Sequence, residues 1–107
     1  VNQHDLAMMA AREALQQAER PKVLLCMSDV IALAAMMVAR ELSIRIPEDL
    51  VVVGFDGIDE GERSVPSLTT IHQYSAEKGR VAASRLLAGD LSGDTELACD
   101  LVVRGSC

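Results

Sequence analysis

At 107 residues the chain has the length of one domain or part of one, and half of its residues are hydrophobic, enough for a real core. One Phe, one Tyr and no Trp mean that this core has to be aliphatic. The formal net charge is -6, from 16 acidic and 10 basic residues with no basic cluster. That excludes the chain itself as a nucleic-acid-binding surface, so any DNA contact has to come from residues outside it.

Residues 5–20 carry Ala, Leu, Met, Gln and Glu without Gly or Pro and predict a first helix. Leu6, Met9, Ala10, Ala14 and Ala18 recur at three- and four-residue steps as its apolar stripe, and Pro21 ends it. Residues 23–27 predict a short buried strand. Ser28 or Asp29 then caps a second helix reaching about Leu42, because either side chain can accept the unpaired N–H groups of a first turn. Between Ile31 and Ala39 this helix is apolar all round, so it has to be buried on more than one side. One side covers the sheet; the other calls for a second partner, such as another subunit.

Residues 50–55 predict the central strand. Val51, Val52 and Val53 are continuous and β-branched, as expected of a parallel strand covered on both faces. A short charged helix over 58–64, a strand over 68–72, a helix over 76–88 and a strand over 101–103 complete the chain. The 76–88 helix places Ala76, Gly79, Ala83, Leu86 and Leu87 on one face. This order predicts an α/β fold with a mostly parallel sheet flanked by helices.

Gly54 and Gly57 bracket Phe55 and Asp56, so the chain can turn sharply and present Asp56 where the central strand ends. In open α/β sheets that edge is where small ligands bind. Asp56 has two readings. It either caps the short helix that follows, or serves as a fixed acceptor for ligand hydroxyl or N–H groups. A charge-assisted hydrogen bond of the second kind is worth about 1.5–3 kcal/mol. Ser28 and Asp29 leave the preceding strand on the same edge; they are capping residues in their own right and candidates for ligand contact.

Residues 54–57 lack the G-x-G-x-x-G spacing and a P-loop lysine, and no serine sits in a G-x-S-x-G elbow. His72 has only the distant His4 for company. No metal site and no cofactor are expected, and an enzyme using Asp56 as a base would have neither nucleophile nor cofactor loop. Cys26, Cys99 and Cys107 are far apart, without paired zinc-type spacing, and read as structural thiols of a reducing compartment. The longest apolar run, 23–39, is interrupted by Ser28 and Asp29 and falls short of the roughly 20 residues of a membrane span. Nothing at the start resembles a signal peptide. Val1 is not an initiator methionine, and the true amino terminus is expected upstream.

Three segments carry a resemblance to a known family: 21–35, with its strand, Ser28-Asp29 and Ile31-Ala32-Leu33-Ala34; 46–56, Ile46-Pro47-Glu48-Asp49 through Gly54-Phe55-Asp56; and 66–73, Pro66-Ser67-Leu68-Thr69-Thr70-Ile71-His72-Gln73. Gly79-Arg80 and the ending Leu101 to Ser106 add to it. Over about residues 18–107 the chain resembles the carboxyl-terminal part of lactose-repressor/galactose-repressor transcriptional regulators. The resemblance implies one lobe of a periplasmic-binding-protein-like (type I) fold, with residues 1–72 and 99–107 in the carboxyl-terminal lobe. Residues 73–98 would make an excursion that packs on an absent amino-terminal lobe. It implies that Asp56 binds effector, with Ser28, where the family usually has asparagine, and Asp29 beside it. It implies a homodimer or higher homo-oligomer, with Leu33, Met37, Glu60 and Ser64 at the interface. DNA would be bound only through a headpiece outside this chain, in the cytoplasm and without a membrane partner. A sugar, polyol or purine-like effector fits the acid. The alternative is a sugar-binding protein of a periplasmic transport system.

Overall fold

The computed structural model describes residues 2–107. Its elements run α1 (Gln3–Leu15), β1 (Val23–Leu25), α2 (Asp29–Glu41), β2 (Val51–Val53), α3 (Asp59–Arg63), β3 (Thr70–His72), α4 (Ser75–Leu87) and β4 (Asp100–Val102). Helix and strand alternate as the sequence predicts, and every predicted element is present.

The first helix departs from expectation in length and phase. Asn2 caps it by accepting the Asp5 N–H, and it ends at Leu15, with the Gln16 N–H closing the last turn on Arg12. The buried stripe is Ala7, Ala11 and Leu15, one residue out of step with the predicted one, while Leu6 and Met9 stand exposed. α1 packs along α2, and Ala11 and Leu15 join Ala32, Ala35 and Ala39 of α2 in one buried cluster.

Helix α2 is the spine of the core. Ala32, Ala34, Ala35, Met36, Val38 and Ala39 are buried, and all of these but Ala34 make one aliphatic cluster with Ile44, Leu50, Val52 and Leu68. Its burial is wide, as the all-apolar pattern requires, but incomplete: Val30 is 41% and Met37 49% exposed. Leu33 is half-buried against the cluster.

β1 pairs in parallel with β2, Leu24 opposite Val52, and parallel bridges continue to the next strand at Val53–Thr69 and Asp56–His72. Pairing is mostly parallel, as the sequence predicts, and the last strand is the exception: β4 runs antiparallel to β3, with Ile71 opposite Leu101. The chain leaves β3 into α4 and returns beside the same strand end, which fixes that direction. Beyond β4 the tail stitches the sheet together. Buried Ser106 donates its hydroxyl to Val52 O at 2.6 Å and accepts the Thr69 N–H at 2.8 Å, while Arg104 N donates to Thr69 Oγ1 at 2.8 Å.

Helix α4 buries no residue. The chain therefore measures 55 × 30 × 22 Å, with a radius of gyration of 16.7 Å, against about 13 Å for a compact domain of this length. Leu86, Leu87 and Leu91 are 66%, 89% and 77% exposed. Among the described residues no helix is long and apolar enough to cross a membrane.

Candidate functional site

The site forms where β1, β2 and β3 end. Three successive chain exits, at 26–29, 54–58 and 72–75, lie side by side because the strands run parallel there. Asp29 N donates to Phe55 O at 2.8 Å and Asp56 N to Ile71 O at 2.9 Å, so the exits are tied together across the edge.

Asp29 faces inward. It is fully buried, and its Oδ2 accepts the N–H groups of Gly57 (2.9 Å) and Ile58 (2.8 Å), while Oδ1 accepts the Thr70 hydroxyl at 2.5 Å. Three donors converge on one carboxylate, which satisfies it and anchors the 56–58 turn. Gly54 makes room for it: a Cβ there would overlap Asp29 Oδ1. Ser28 is the cap of α2, its Oγ accepting the Ile31 N–H at 3.2 Å. The two neighbours thus divide the work, one capping a helix and the other holding the turn.

Asp56 is held differently. Its backbone sits at φ 128°, outside the regions an L-residue ordinarily occupies. The structure fixes it there through the Ile71 carbonyl and through Gly57, whose φ of 80° completes the turn. Such strain collects at functional sites. Its Oδ1 accepts the Gln73 side-chain amide at 2.6 Å, and Oδ2 has no protein donor among the described residues. Asp56 lines an open depression of about 610 Å³ with Gly57, Ile58, His72, Tyr74 and the first turn of α4.

His72 and Tyr74 pack edge-to-face with ring centroids 4.4 Å apart. Tyr74 itself has a left-handed backbone, φ 53°, and its hydroxyl donates to the Asp100 carboxylate across the β3–β4 pair. That bond to a nearby negative charge raises the Tyr74 pKa. Burial, and then the charge of Asp29, push the Cys26 thiol up, which keeps it protonated and inert. Among the described residues no group of three or more His, Cys, Asp and Glu side chains is placed to hold a metal ion.

The structure therefore brings Asp56, Ser28 and Asp29 to one edge but opens only Asp56 to the depression. Gln73 and Tyr74, which the residue-by-residue reading did not single out, share that depression or hold its acid. The signal for Gln73 was its position closing the 66–73 segment. The other named residues lie away from the depression. Met37 and Glu60 are exposed, Leu33 packs on the core, and Ser64 Oγ lies 2.8 Å from Gly61 O and 2.9 Å from Pro66 O, closing α3.

The periplasmic binding protein-like domain profile matches residues 2–107. The HTH-type transcriptional repressor PurR of Vibrio atlanticus (strain LGP32) is 41% identical over 83 residues, 78% of this chain and 25% of that protein. The HTH-type transcriptional repressor CytR of Escherichia coli (strain K12) is 38% identical over 113 aligned positions, 95% of this chain and 33% of the relative. The lac repressor dimer, solved bound to operator and the anti-inducer ONPF, superposes with a TM-score of 0.87 at 30% identity, over 94% of this chain and 36% of that one. The chain spans a quarter to a third of the length of the curated relatives it matches. It belongs to the periplasmic binding protein-like domain family, in the group formed by the effector-binding regions of LacI/GalR-type transcriptional regulators.

Proposed function

We propose that this chain is the carboxyl-terminal part of the effector-sensing and dimerising region of a cytoplasmic DNA-binding regulator, without catalysis of its own. The observation that carries this reading is Asp56, a strained carboxylate at the ligand edge of the sheet with one oxygen open to a depression. A carboxylate with a free oxygen suits a ligand rich in hydroxyl or N–H donors, a sugar, polyol or purine-like metabolite. Asp29 and Ser28 build the edge: Asp29 fixes the turn that presents Asp56, and Ser28 fixes α2. The curated relatives are named as transcriptional repressors, which favours the regulator over a transport binding protein.

The bare, leucine-bearing helix α4 supports a second lobe packed on residues 73–98, because an apolar patch of this size seldom stays uncovered. Ligand between the lobes would change their relative angle and so the placement of DNA-binding headpieces, by binding one of two states more tightly. In the intact regulator, Asp56→Ala weakens the effector response about 10- to 100-fold, the loss expected for a charged hydrogen-bond partner. The midpoint of effector-shifted operator binding reads it; an unchanged midpoint removes Asp56 from the site.

Exposed Met37 and Val30 continue the buried face of α2 to the surface and support a homodimer there. Met37→Glu puts a charge at the centre of that contact and weakens the dimer by about 2 kcal/mol or more. Sedimentation equilibrium of the intact protein measures it, and an unchanged dimer constant places the interface elsewhere.

A further inference from the structure

Resting on the reading of Asp56 as the effector acid, we infer that Gln73 and Lys78 tie that acid to the first turns of α4, so that ligand binding and the placement of this helix are one coupled event. The Gln73 amide donates to Asp56 Oδ1 at 2.6 Å, and its carbonyl oxygen accepts from Lys78 Nζ. Gln73 N adds a long backbone hydrogen bond to Asp56 O, 3.4 Å. A side-chain amide can donate to an anion with its NH2 end while accepting from a cation with its carbonyl end. Gln73 therefore bridges two opposite charges that do not touch.

The position of the bridge gives it a consequence. Gln73 is the residue that leaves β3, and Lys78 lies one turn into α4, the helix with no buried residue of its own. Tyr74 between them, at φ 53°, holds the kink that aims the helix, with its hydroxyl on Asp100. Packing does not hold α4 against this lobe, and the polar chain from Asp56 through Gln73 to Lys78 is the side-chain link that ties its first turns to the Asp56 edge. A ligand that draws on the open oxygen of Asp56 turns or stiffens the carboxylate, Gln73 follows it, and α4 follows Gln73. Gln73 and Lys78 are positioning residues; neither has to touch the ligand.

Hydrogen–deuterium exchange of the intact native polypeptide, read on peptides covering α4 and, as internal reference, α2, tests this without knowledge of the ligand. Gln73→Leu speeds exchange in α4 about tenfold and Asp56→Ala about fivefold, although Asp56 lies outside the helix, and α2 is unchanged. Lys78→Met gives an increase of the same sign, mimicked in the wild type by high salt. The swap Asp56→Asn with Gln73→Glu restores the pair in reverse, the new amide donating to the new carboxylate and Lys78 still donating to position 73. It returns α4 to within about twofold of wild type. The inference is overturned if Asp56→Ala leaves α4 exchange unchanged, or if the double variant exchanges as fast as Gln73→Leu. A variant that speeds α2 equally has loosened the whole fold, and the swap then decides. If α4 responds to Asp56→Ala while the operator-binding midpoint does not, the tie is real and the effector assignment of Asp56 is what has failed.

Discussion

Asp29→Ala destabilises the fold by about 3–5 kcal/mol, while Asp29→Asn costs only about 1–2 kcal/mol. The alanine variant strands three donors at once, the part-buried N–H groups of Gly57 and Ile58 and the buried Thr70 hydroxyl, at a penalty of about 1–3 kcal/mol for a buried donor left unpaired and less for a part-buried one. It also opens a hole beside Leu68 and Gly54. Asparagine keeps the shape: its Oδ1 can take both N–H groups, and its Nδ2 can donate to Thr70 Oγ1, which turns its own proton away. What is lost is the strengthening that a full charge gives a hydrogen bond. Urea unfolding at constant m-value separates the two. Equal losses for the two variants would mean that the charge, rather than the hydrogen-bond count, holds the turn.

Gly57→Ala costs about 2–4 kcal/mol and dislodges His72. Two effects combine. At φ 80° an L-residue carries about 1–2 kcal/mol of backbone strain. The added Cβ would also overlap His72 Nδ1 and lie 3.0 Å from His72 Cα, so the β3 exit itself has to shift, an overpacking cost of about 1–3 kcal/mol. Because the Gly57 N–H is one of the three on Asp29, the shift reaches the buried carboxylate as well. The urea midpoint gives the loss, and displaced His72 ring resonances give its location. A neutral Gly57→Ala with His72 unmoved would show that the turn is not built as described.

Local chemistry made much of this legible. A cap at Ser28 or Asp29, Val51 to Val53 as a central strand, and the glycine-bracketed turn presenting Asp56 follow from residue types within a few positions of each other. The phase of α1 did not follow, because apolar residues occur on more than one face of this helix, and packing on α2 turns Ala7, Ala11 and Leu15 inward while Leu6 and Met9 stay exposed. The direction of β4 was hidden for a different reason: strand identity is local, but pairing direction depends on where the 73–98 excursion returns. Asp29 was ambiguous because Ser28-Asp29 offers two capping side chains. Which one turns inward is decided by the missing side chain of Gly54 and by N–H groups 28 and 29 residues away. Gln73 meets Asp56 only through the register of two strand exits, which no single segment reveals. The resemblance named the family and pointed to Asp56 as the effector acid; it did not reveal that Asp56 is gripped from the segment that leads into α4.

The amino-terminal sequence and mass of the native polypeptide test the central claim most directly. The expected result is a chain about three times this length, as in the curated relatives, opening with a helix-turn-helix segment. A processed secretory amino terminus would contradict it and make this lobe part of a transport binding protein instead.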